Sequence, residues 1–148
     1  MTTLKLVLKY LMSGLFVLAG VYHFVNPDFY LGIMPPYFPW HLFLVYLTGA
    51  FEIILGILLP IPRFTRGAGF GLIALLIAIF PANIHMAVNT ESYPDISPIA
   101  LWVRLPLQGV LIAWAYWYTR PGSAGIAGSP AGQPRWGAVL PAVREKRG

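Results

Sequence analysis

The sequence predicts an all-α membrane protein, a four-transmembrane-helix bundle with both termini in the cytoplasm, on three observations. The first is composition. Of 148 residues 57% are hydrophobic and 10% charged, with a mean hydropathy of +0.68, whereas an ordinary soluble domain carries about 25% charged residues. So few charges cannot cover that much apolar side chain in water, and lipid has to be the solvent. The second is spacing. No Lys or Arg lies between Lys9 and Arg63, or between Arg66 and Arg104, and these gaps hold apolar runs near the ~20 residues a bilayer core requires. The third is asymmetry. If the first and third connections share a side, that side carries Asp28, Glu91 and Asp95 and no basic residue. The other side holds Lys5, Lys9, Arg63, Arg66, Arg120, Arg135, Arg144, Lys146 and Arg147. The positive-inside rule places that side in the cytoplasm, so the net charge of +5 reads as a topology signal and no nucleic-acid partner is expected.

Taken in order, the first span runs from about Leu6 to Val25. Lys5 and Lys9 ahead of an apolar run also suit a signal peptide, but no A-x-A site follows and the run continues through Val21 and Tyr22, so the helix is expected to be retained. In the outer connection, Asn26 can cap, Pro27 suits the first helical position and Asp28 favours a helix N-terminus, predicting a short helix to about Ile33. Pro35, Pro36 and Pro39 then call for extended backbone. Phe29, Tyr30, Tyr37, Phe38 and Trp40 make the loop a rigid aromatic lid facing the headgroups. The second span is expected from about His41 to Leu59, and a tight turn from Pro60 to Arg66 makes it the antiparallel neighbour of a third, about Gly67 to Val88. The fourth runs from about Pro98 to Tyr118. Residues 1–120 thus form the membrane domain. Residues 121–148 are rich in Gly, Ala and Pro and are expected to be a disordered, basic cytoplasmic tail. Gly14, Gly20, Gly49, Gly56, Gly67, Ala68, Gly69 and Gly71 are expected to let helices approach closely.

Function is sought among the residues that are costly in hydrocarbon. Glu52 falls roughly 15 Å below the outer interface at the helical rise, near the bilayer centre. Arg104 lies in the outer part of the fourth span with Gln108 one turn on, and its side chain can reach outward to water or inward to Glu52. Thr48 adjoins Glu52, His23 ends the first span, and Asn83 and His85 stand at a similar height on the third. An ionisable residue in a membrane is a candidate for function by default, so these seven form a candidate pocket in the outer half. Their structural reading is a Glu52 that is either protonated or paired with Arg104 to lock the bundle, with histidines that anchor at the interface and an Arg104 that snorkels. No two histidines share i, i+4 spacing, there is no cysteine, and no metal site is expected. The absence of cysteine also excludes a disulfide framework and a catalytic thiol. No phosphate-binding loop or nucleophile elbow is present.

Several of these motifs taken together resemble the DoxX family of small bacterial four-helix membrane proteins. They are Gly20-Val21-Tyr22-His23-Phe24-Val25-Asn26-Pro27, Ile33-Met34-Pro35-Pro36 with Pro39, Gly49-Ala50-Phe51-Glu52-Ile53-Ile54-Leu55-Gly56, Phe80-Pro81-Ala82-Asn83-Ile84 and Arg104-Leu105-Pro106-Leu107-Gln108. The resemblance spans about residues 10–118. It implies a bacterial cytoplasmic (inner) membrane location and a quinone-linked or redox-associated subunit, with a quinone headgroup read by Glu52, Arg104, Gln108 and Asn83, and a protein partner in a membrane or redox complex. The alternatives are a non-catalytic assembly or chaperone subunit and a carrier for a small solute or proton.

Overall fold

The computed structural model describes residues 2–121, and the tail expected from residue 121 onward lies otherwise outside the described residues. Four long helices are each long and apolar enough to cross a membrane: α1 (Thr3–Val25), α3 (His41–Leu58), α4 (Thr65–Val88) and α5 (Pro98–Thr119). A short helix α2 (Pro27–Ile33) follows α1, and a single 3-10 turn (Thr90–Ser92) lies between α4 and α5. The expected spans agree with these bounds to within three residues at each end, because the length of an apolar run is set by the solvent it crosses.

The helices pack as two antiparallel pairs, α1 with α3 and α4 with α5, joined along α3 and α4. The first pair is held by backbone proximity. A Cβ at Gly20 would stand 2.5 Å from the Gly49 carbonyl oxygen, and one at Gly56 would stand 2.8 Å from a Val17 methyl. Ser13 Oγ donates to the Gly56 carbonyl at 2.6 Å across the same seam. Gly69 and Gly71 serve the contacts of α4 in the same way, against Thr119 and Leu55. Gly14 and Gly67 depart from expectation, since a Cβ at either would meet nothing within 4 Å. They lie on faces turned away from neighbouring helices.

Two ends of the bundle differ. At the end bearing Lys5, Arg63 and Arg66, a core of Met12, Phe16, Leu59, Ala68, Leu72, Leu76, Ala115 and Tyr118 is closed by α1, α4, α5 and the end of α3, whose Leu55 and Leu58 pack against it. Tyr118 donates to the Lys5 carbonyl at 3.3 Å. Lys9 belongs to this end but is buried, and its Nζ donates to Thr65 Oγ1 at 3.2 Å. That hydroxyl in turn lies 2.9 Å from the Leu59 carbonyl and 3.0 Å from that of Ile61. The ammonium therefore sits by the C-terminus of α3, where the helix dipole favours a cation.

At the opposite end the pairs separate and loops roof the gap. Met86, Tyr93 and Leu101 form a small second core, with Ile33 of α2 and Ile96 packed against it. The aromatic loop is only partly the headgroup-facing lid expected. Phe29, Tyr37 and Trp40 are exposed, but Tyr30 and Phe38 are half-buried and face inward. Pro35 to Phe38 is a turn closed by the Phe38 amide on the Pro35 carbonyl at 3.2 Å, where extended backbone was expected. The His41 ring lies over the same carbonyl, Nε2 at 3.1 Å. Asn26 holds the N-cap position of α2 without capping it, because its amide donates to the Tyr22 hydroxyl at 3.0 Å instead.

Candidate functional site

Between the separated pairs lies a cavity of about 590 Å³, within the range that holds small organic ligands. Its walls are mainly aliphatic and come largely from α3, α4 and α5, with His23 of α1, Tyr30 and Ile33 of α2 and Met34 and Phe38 of the aromatic loop completing it and Leu76 shared with the closed core. Of the seven residues expected at the site, His23, Thr48, Glu52, Asn83, Arg104 and Gln108 line this cavity. His85 does not. It lies two positions from Asn83, about 200° around a helix, so both cannot face one space. The His85 ring lies instead against Tyr37, centroids 5.2 Å apart, and its carbonyl accepts from the Asn89 amide at 2.9 Å.

The expected ion pair between Glu52 and Arg104 is not formed. Glu52 Oε2 lies instead 3.5 Å from His23 Nε2, the one acid–base contact within ion-pair distance among the described residues. The close seam of α1 and α3 explains the choice. Gly49, one turn before Glu52, admits α1 so closely that a Cβ there would stand 2.6 Å from that of His23, while Arg104 is carried by α5 across the cavity. The tautomer of His23 follows from its other nitrogen. Nδ1 lies 2.9 Å from the Val45 carbonyl, which can only accept, so Nδ1 carries a hydrogen. Thr48 Oγ1 is a second, longer contact at 3.4 Å. Nε2 is then the ring atom that faces Glu52 Oε2. Tyr30 stacks on the imidazole with centroids 3.6 Å apart and fixes its plane. Apart from this charge contact, Glu52 Oε2 is buried with no hydrogen-bond partner.

Across the cavity the amides are oriented by a similar chain of logic. Gln108 Nε2 donates to the Leu76 carbonyl in α4, five residues before Pro81. Its Oε1 therefore faces Asn83, whose Nδ2 donates to it at 2.8 Å. Gln108 is used internally, and Asn83 keeps one amide hydrogen and its carbonyl oxygen. Arg104 makes one contact among the described residues, Nη1 to Met86 Sδ at 3.8 Å, which leaves most of its five donors for another group. On α2, burial and the neighbouring Glu52 push the Tyr30 phenol up to about 12, so it remains a hydroxyl donor at physiological pH.

Sequence reasoning missed Tyr30, Met34, Phe38 and Met86 as wall residues. The signal for the first was its proximity in sequence to His23, across a bend at Asn26-Pro27 that folds α2 back onto α1 and α3.

A family model described as Domain of unknown function (DUF8561) matches residues 12–119, a stretch that includes every residue lining the cavity. No curated protein and no solved structure matches the chain. The resemblance to DoxX is thereby corrected. Its motifs consist of small residues at a helix seam, prolines at helix ends and a few buried polar groups, features that many compact membrane bundles need for the same physical reasons. On the match over residues 12–119, the chain belongs to the DUF8561 family.

Proposed function

We propose that this chain is an integral membrane protein of the bacterial cytoplasmic membrane, with both termini cytoplasmic, that binds a small amphiphilic ligand in the cavity between its helix pairs. The observation that carries the reading is a cavity of about 590 Å³ with mainly aliphatic walls, lined by Arg104, whose one hydrogen bond among the described residues is to Met86 Sδ at 3.8 Å. A guanidinium with most of its donors unused is costly in a low-dielectric site, and a ligand with a polar head that accepts hydrogen bonds would relieve that penalty. The aliphatic walls supply the complementary surface for an apolar ring or chain. A redox role has no support from the family, and quinone enters only as one neutral amphiphile whose carbonyl oxygens could accept from Arg104.

The test is retention. Protein purified in mild detergent is expected to carry a bound amphiphile identifiable by mass spectrometry, and Ala82→Phe, which fills the cavity from α4, is expected to fold and lose it. Equal retention by the two proteins would place the ligand elsewhere and sink the reading. For topology, a reporter active only outside the cytoplasm and fused after Arg147 is expected to be silent, from the excess of basic residues on the terminal side. An active fusion would invert the assignment.

A further inference from the structure

The groups that face the cavity can be summed by charge. His23 and Glu52 meet through Nε2 and Oε2, and with Nδ1 held as a donor to Val45 the pair is neutral overall once one proton lies between them, whichever atom carries it. Without that proton a buried carboxylate oxygen would face a lone pair, with no donor near it. Asn83, Gln108 and Thr48 are neutral, and the Tyr30 hydroxyl is un-ionised. Arg104 is then the single uncompensated charge, since no carboxylate of the described residues pairs with it. Unused donors also outnumber unused acceptors. Arg104 has all but one of its donors available, Asn83 one amide hydrogen, and Tyr30 a hydroxyl that makes no hydrogen bond among the described residues.

We infer that the ligand is a single-chain amphiphilic carboxylate, its head on Arg104 with Asn83 and Tyr30 as further donors, and its chain along the aliphatic walls. This rests on the cavity being a ligand site, as proposed above. One positive charge selects one negative charge. A phosphate monoester carries about −1.5 to −2 at neutral pH and would leave charge unbalanced in a low-dielectric site. A carboxylate matches the guanidinium in charge and in its two-pronged geometry.

The experiment uses the full chain in phosphatidylcholine vesicles, with radiolabelled dodecanoate, dodecanol and dodecyl phosphate measured against protein-free vesicles. Wild type is expected to bind dodecanoate about tenfold or more tightly than dodecanol and more tightly than dodecyl phosphate. Arg104→Met is expected to remove the preference for dodecanoate while leaving dodecanol binding within about twofold, and Arg104→Lys to keep part of it. Equal binding of dodecanoate and dodecanol by wild type, or tighter binding of dodecyl phosphate, overturns the carboxylate assignment while the cavity reading stands. Saturable binding of none of the three by folded protein overturns both. The wild-type comparison decides the matter even if Arg104→Met fails to fold.

Discussion

His23→Leu is expected to lower the stability of the detergent-solubilised protein by about 3 to 5 kcal/mol, the range found when one partner of a buried pair is removed. Three things are lost together: the 3.5 Å contact to Glu52 Oε2, the bond to the Val45 carbonyl and the stacking surface for Tyr30. Glu52→Leu is expected to destabilise less, because His23 keeps its bond to Val45 and can remain a neutral imidazole. The double change His23→Leu with Glu52→Leu is expected to recover part of the loss, since no polar group of the pair is then left buried alone. Arg104→Met, outside the pair, is expected to shift stability by less than about 1 kcal/mol. Chemical or thermal unfolding of the four variants checks this directly. A double mutant less stable than His23→Leu alone would show that the two groups do not act as a pair. An effect of Arg104→Met as large as that of His23→Leu would make Arg104 the counter-ion of Glu52 after all.

Gly20→Leu is expected to be as damaging for a different reason. Even a methyl at this position would stand 2.5 Å from the Gly49 carbonyl oxygen and 2.9 Å from the Ile53 amide nitrogen, both of them backbone. Backbone cannot swing aside as a flexible side chain can, so α1 and α3 must part. Overpacking of this kind costs about 1 to 3 kcal/mol and occasionally more, and the gap that opens also draws His23 away from Glu52 and Val45. Gly14→Ala is the control on the same helix. Nothing lies within 4 Å of its added methyl, so the better helix propensity of alanine is expected to stabilise by about 0.5 to 1 kcal/mol. Opposite signs in the two melting shifts are the expected result. If Gly20→Ala proves as benign as Gly14→Ala, the close seam is not what holds the pair together.

The two variants also show where sequence reading stops. Both glycines lie in the same apolar run and look alike as small residues suited to packing. Only the direction each faces separates them, and that depends on which helix lies opposite. His85 and Asn83 illustrate the reverse case. Their two-residue spacing already places them on different sides of α4, so the exclusion of His85 from the cavity is legible in the sequence, from angle around the helix and not from height along it.

The sequence by itself determined the solvent and the length of each span. An apolar run has one way to satisfy its backbone in hydrocarbon within its own length, the helix, and the runs here end where charge, proline and aromatic residues begin. It also determined that the costly polar groups lie at similar depth, because depth along a helix is a count of residues. Tertiary structure alone decided which of those groups meet. Glu52 pairs with His23 and not with Arg104 because Gly20 and Gly49 bring α1 and α3 almost to backbone contact, while α5 packs against α4 and holds Arg104 on the far wall. A one-dimensional pattern records how far along its helix a charge lies. Its partner is set by the distance between helix axes and the rotation of each helix about its own axis, and those are fixed only when the whole bundle has packed.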